Sequence, residues 1–123
     1  MATQSTLDLA VALARLAENL KAEDVVVLDV TGKHSLIDCF VVATARGTKH
    51  ASSVAEEAYV YVKAQGEKPW HREVATDWVC CDFSDVVLHV FTPEAREFYD
   101  FESLWADADR VPLEPIPPSK ATA

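Results

Sequence analysis

Residues 78–91 read WVCCDFSDVVLHVF, and whether this stretch is a β-hairpin or a metal or redox centre decides how the chain is read. It holds Trp78, the adjacent Cys80 and Cys81, Asp82, Asp85 and His89. Taking Phe83 and Ser84 as a two-residue loop sets Asp82 opposite Asp85, Cys80 opposite Val87 and Trp78 opposite His89, since opposed residues share a sheet face. One face is then Val79, Cys81, Val86, Leu88 and Val90, apolar throughout. The other is Trp78, Cys80, Asp82, Asp85, Val87 and His89, which is mixed. Any even-length loop keeps this division, and an odd one scrambles it into two less coherent faces. The clean split favours the hairpin and puts the two cysteines on opposite sides of the sheet. Structural zinc sites space their cysteines as C-x₂₋₄-C with a second pair elsewhere. This chain has a bare CC, a lone Cys39 and scattered His34, His50, His71 and His89, so no metal site is expected. Cys81 reads as a small buried hydrophobe, and His89 as a surface or hydrogen-bonding histidine rather than a catalytic base. Trp78 has two readings. Tryptophan is enriched at binding hot spots, and it equally fits beneath the second helix or the C-terminal tail.

Upstream, Leu9, Leu13, Leu16 and Leu20 recur at helical spacing with alanines on the same side, which predicts a helix over 5–21. Ser5 with Asp8 three residues later resembles a capping box, and Lys21 suits the negative helix C-terminus. The β-branched run from Asp24 to Val30 predicts a strand ended by a Thr31-Gly32 turn. LIDCFVVATA, residues 36–45, predicts a second strand whose unbroken apolar character suits a central position covered on both faces. A second helix is expected from Thr48, as N-cap, to Gln65, with Gly66 as its stop and Ala51, Val54, Ala55, Ala58, Tyr61 and Val62 as its stripe. WHREV, residues 70–74, reads as a short strand at a sheet edge, and Pro93 opens an acidic, aromatic helical region. The order α-β-β-α-β-β-β-α predicts an α/β fold: one domain with a mixed sheet of about five strands and helices packed on it. Its expected extent is residues 1–110, and 111–123, with four of the six prolines, is read as a proline-rich tail, extended or flexible.

With 123 residues and a net charge of −9, the chain suits a single core and repels nucleic-acid phosphates, while inviting a basic partner surface. No apolar run approaches the ~20 residues that span a membrane. The N-terminal stretch has no basic leader and no Arg-rich transit character, and three cysteines suit a reducing compartment. A cytoplasmic protein is expected, with an organellar matrix as the alternative. Gly32, Gly47 and Gly66 stand far apart, so no phosphate-binding glycine loop forms, and no G-x-S-x-G elbow is present. The carboxylates of Asp29, Asp38, Asp82 and Asp85 could bind Mg²⁺ for nucleotidyl or phosphoryl transfer, but no glycine-serine loop accompanies them. No catalytic residue and no cofactor is assigned.

Three blocks resemble the ribosomal silencing factor family, also called the Iojap or DUF143 family: LDVTGKHSLIDCFVVATA at 28–45, TKHASSVAEEA at 48–58, and DWVCCDFSDVVLHVFTPEAREFYDFESLWADADRV at 77–111. The last is similar to the family pattern W-V-x-x-D-[FYL]-x-D-[VI]-[VI]-V-H-[VI]-F followed by E-x-R-x-[FL]-Y-x-[LF]-E-x-L-W. The chain departs from the family in REVATDW, which lacks an acid-glycine pair before Trp78, in Thr44-Ala45-Arg46-Gly47, and in the glycine-free Asp82-Phe83-Ser84-Asp85 turn. The resemblance implies a nucleotidyltransferase-like fold without the catalytic loop and a non-enzymatic role. The expected partner is the large ribosomal subunit, bound through its ribosomal protein numbered fourteen, with little direct rRNA contact, so that small-subunit joining is blocked and translation repressed. Organellar relatives imply an alternative, large-subunit assembly through the same surface; a homodimer off the ribosome is a further expectation. The partner-binding surface is expected at Trp78, Asp82, Asp85, His89, Arg96, Tyr99 and Trp105. Six acids between Pro93 and Asp109, against Arg96 alone, suit a basic protein partner, although such runs usually form solvated helix faces.

Overall fold

The computed structural model describes residues 3–32, 37–66, 71–83 and 85–113. Among these residues four helices and six strands follow in the order α1 (Gln4–Asn19), β1 (Glu23–Asp29), β2 (Cys39–Thr44), α2 (Thr48–Ala64), β3 (His71–Val74), β4 (Trp78–Asp82), β5 (Val86–Phe91), α3 (Pro93–Tyr99), α4 (Phe101–Leu104) and β6 (Asp109–Val111). The strands form one mixed sheet ordered β3-β4-β5-β2-β1-β6. Only β2 and β5 run parallel; the other neighbours are antiparallel. That parallel pair needs a long crossover, which α2 begins. Every residue of β2 and of β5 is buried, as the unbroken apolar run of β2 predicts for a central strand.

Side-chain alternation then builds two cores. On one face α1 and α2 cover Cys39, Val41, Ala43, Val79, Cys81, Val86, Leu88 and Val90. On the other, Leu28, Phe40, Val42, Val87 and Phe91 pack with Ala95, Phe101 and Trp105. The fully buried residues of α1 are mostly alanines (Ala10, Ala14, Ala17, with Leu13), and Leu9, Leu16 and Leu20 flank them half-buried. Small residues at the contact line bring the helix backbone close to the sheet, so the leucines seal its sides. The cap of α1 is Thr3, whose hydroxyl accepts from the Thr6 amide at 3.3 Å. Ser5 and Asp8 therefore lie inside the helix rather than forming a capping box. Thr48 is likewise the first residue of α2 and not its cap; Gly47 occupies that position, and the Thr48 hydroxyl donates instead to the Thr76 carbonyl.

The hairpin register differs from expectation by two residues. Trp78 pairs with Phe91, Cys80 with His89 and Asp82 with Val87, and the Phe83 amide donates to the Val86 carbonyl at 2.9 Å. Phe83 is buried in the helix-side core, so it ends the strand instead of turning it. A two-residue shift preserves parity, and the division into faces stands: Cys81 and Cys80 lie on opposite sides. Strand β3 sits at the sheet edge as expected; Trp70, expected to begin it, is outside the described residues.

Past Pro93 the expected helical region is two short helices. Asp100 adopts a left-handed conformation (φ +47°) that ends α3 and redirects the chain into α4. Thr92 caps α3, accepting from the Ala95 amide at 3.3 Å. The sixth strand was not expected. Asp109–Val111 pairs antiparallel with β1, so the boundary drawn after residue 110 falls inside a strand; residues 114–123 lie outside the described set.

Candidate functional site

On the sheet face opposite α1 and α2, an aromatic run leads from the core to the surface. Trp105 packs on Phe40 (ring centroids 5.1 Å), Phe40 on Phe101 (5.2 Å), and Phe101 on His89 (4.5 Å). Trp78 stacks on Phe91 at 4.9 Å and meets Tyr99 at 5.3 Å, and Tyr99 meets Phe98 edge-on at 5.1 Å. Trp78 is half-buried, while Tyr99 is 44% and Phe98 82% exposed. Packing beneath the second helix does not occur, because α2 covers the opposite face; instead one side of the Trp78 indole packs on Phe91 and Tyr99, and the aromatic run it belongs to ends in solvent at Phe98. Leu104 of α4 adds another exposed apolar side chain at 73%.

His89 lies beneath this surface, only 5% exposed. Burial pushes its pKa down to about 4, so the ring is neutral at physiological pH. The Trp78 indole N–H donates to His89 Nδ1 at 3.1 Å. An indole nitrogen can only donate, so Nδ1 must be the acceptor and the proton sits on Nε2. The hydrogen-bonding reading of His89 holds, but the ring expected at a surface is buried beneath Trp78.

Arg96 is also a brace rather than an open cation. It donates to Thr44 Oγ1 at 2.8 Å and to Glu102 at 2.9 Å, and also to the Asp24 carbonyl. Asp24 occupies an irregularity in the β1–β2 register with φ +49°, and such a bulge leaves backbone groups free of the ladder. Arg96 thus ties α3 and α4 to β1 and β2. Trp105 belongs to the core cluster on that side. Glu102 is held by Arg96 and by Arg110 at 3.2 Å, whereas Glu94, Glu97 and Asp100 are exposed on the segment that carries Phe98 and Tyr99.

The expected site residues divide in space. Trp78 and Tyr99 come together with His89 below them. Asp82 lies four residues along β4 from Trp78, about 13 Å at the rise of an extended strand. Asp85, in the hairpin turn, lines a shallow groove with Ser5 and Asp8 of α1, Tyr61 of α2 and Gln65 at the α2 C-cap. Phe98 was missed: four aromatics crowd Phe98–Trp105, and the left-handed break at Asp100 resets the helical phase that would show which point inward.

Among the described residues, no three His, Cys, Asp or Glu side chains converge as metal ligands. Burial raises the thiol pKa of Cys39 and Cys81 to about 12 and that of Cys80 to about 11, so all three are protonated at neutral pH. No helix among the described residues is long and apolar enough to cross a membrane.

A family model described as "Ribosomal silencing factor during starvation" matches residues 3–123. The ribosomal silencing factor of Halalkalibacterium halodurans is 34% identical over 118 residues, covering 94% of this chain and 98% of that protein. A mouse protein named for mitochondrial assembly of the ribosomal large subunit is 32% identical over 76% of this chain and 43% of its own length. A crystal structure of a Chromobacterium violaceum protein superposes with a TM-score of 0.76 at 29% identity, covering all of both chains. The chain belongs to the ribosomal silencing factor family.

Proposed function

We propose that the chain docks on the large ribosomal subunit through the ribosomal protein numbered fourteen and sterically prevents the small subunit from joining, repressing translation. The observation that carries this reading is the aromatic run surfacing at Tyr99 and Phe98 among the exposed carboxylates of Glu94, Glu97 and Asp100. Aromatic anchors with a charged rim are the usual anatomy of a protein-binding hot spot. Trp78, Tyr99 and Phe98 make the direct contact, and His89, Arg96 and Trp105 support them from below. Asp82 and Asp85 add to the negative potential that draws in a basic partner. A net charge of −9 favours a basic protein over rRNA phosphate. The role is regulatory and cytoplasmic, with no catalysis. Off the ribosome, the exposed edge strand β3 offers a pairing surface for a homodimer, measurable by light scattering.

Sucrose-gradient sedimentation tests the docking. The protein is expected with free large subunits and absent from joined ribosomes; equal presence on both overturns the reading. The mouse relative's name supports a second role on the same surface, assembly of the large subunit. Depletion that accumulates immature large particles, with starvation survival intact, selects assembly over silencing.

A further inference from the structure

We infer that His89 is a positioning residue for the docking surface, holding the Trp78 indole in the orientation that Tyr99 and Phe98 carry outward. The inference rests on the docking reading above. Trp78 sits at the boundary between core and solvent, stacked on Phe91, and stacking alone leaves a ring free to slide in its own plane. The bond from its Nε1–H to His89 Nδ1 removes that freedom. His89 is itself clamped by Phe40 at 5.2 Å and Phe101 at 4.5 Å, so it presents Nδ1 from a rigid site. Among the described residues its buried Nε2 has no hydrogen-bond partner. A polar atom left in that state costs stability, and packing alone would be better served by an apolar ring. The polar function of His89 is therefore directed at Trp78.

Two variants and one measurement on the unaltered protein test this. His89→Phe keeps a ring and loses the acceptor, and His89→Asn places an amide oxygen near the position of Nδ1. In ¹⁵N NMR the indole N–H of Trp78, assigned with Trp78→Phe, is expected to exchange with solvent at least about tenfold faster in His89→Phe. Affinity for purified large subunits should fall by about tenfold, the scale of one lost buried hydrogen bond. The melting temperature should stay at or above that of the wild type, and His89→Asn should recover both indole protection and binding. Wild-type binding by His89→Phe, with Trp78→Ala impaired, overturns the role of His89 alone. Wild-type binding by Trp78→Ala overturns the docking reading instead. In the unaltered protein, ¹⁵N-histidine shifts should report a protonated Nε2 and an accepting Nδ1; a protonated Nδ1 refutes the inference whether or not the variants fold.

Discussion

Acid should weaken this protein through His89 before it acts through most other groups. The ordinary imidazole pKa is 6.5, and burial lowers that of His89 to about 4 in the folded chain, with desolvation as the cause. Phe40, Phe91, Phe101 and Trp78 surround the ring. Cys80, directly across the ladder, carries no charge in this pH range, its thiol pKa being raised by burial to about 11. Between pH 6.5 and 4 the unfolded chain takes up a proton at this position and the folded chain does not. Stability therefore falls as pH drops through that window and levels off below it. At about 1.4 kcal/mol per pH unit, the full loss is about 3 kcal/mol, a large part of the stability of a small domain. Protonation also turns Nδ1 into a donor facing the Trp78 N–H, so the bond is lost with the charge. Urea unfolding at intervals from pH 7 to pH 4, for wild type and His89→Phe in parallel, measures it. Carboxylates titrate in both proteins, so the difference between the two curves isolates His89. Parallel curves across the window would refute the assignment of a buried neutral histidine.

Other outcomes follow from the same contacts. Arg96→Met should cost about 2 to 3 kcal/mol, because it strips charged hydrogen bonds from a mostly buried guanidinium and leaves Glu102 less compensated; unchanged unfolding midpoints would mean that Arg96 is not the brace between α3 and the sheet. Phe98→Ser, at an 82% exposed position, should leave stability within about 0.5 kcal/mol yet weaken large-subunit binding severalfold, and wild-type co-sedimentation would remove Phe98 from the interface. Thr92→Ala should cost about 1 kcal/mol through loss of the α3 cap, seen as a lower melting temperature. Native-state thiol titration near neutral pH should proceed slowly at Cys39 and Cys81, both buried with pKa values near 12, with rapid reaction on unfolding; prompt reaction of all three thiols in the folded protein would contradict their burial.

Strand parity and helical spacing come from covalent geometry, and what depends only on them was legible in the sequence. The alternation in WVCCDFSDVVLHVF determined which residues share a sheet face, separating Cys80 from Cys81 and ruling them out as joint ligands by parity alone. The apolar run of β2 determined its central place, and the stripe of α2 its buried side. The same motifs pointed to the family. Parity, however, is indifferent to a shift of two residues, so the partner of Trp78 was decided by the burial of Phe83, a contact made across the fold. Strand β6, straddling the start of the proline-rich segment, escaped notice because three residues carry little pattern; pairing with β1 makes them a strand. The site shows the same division. Sequence named Trp78, Tyr99 and His89 but had no means of ranking their exposure, since the left-handed turn at Asp100 sets how α3 and α4 lie on the sheet. Only tertiary packing placed His89 beneath Trp78, turned Arg96 inward to the Asp24 carbonyl and left Phe98 in solvent, because burial is a property of the surfaces that meet and not of the residues in order.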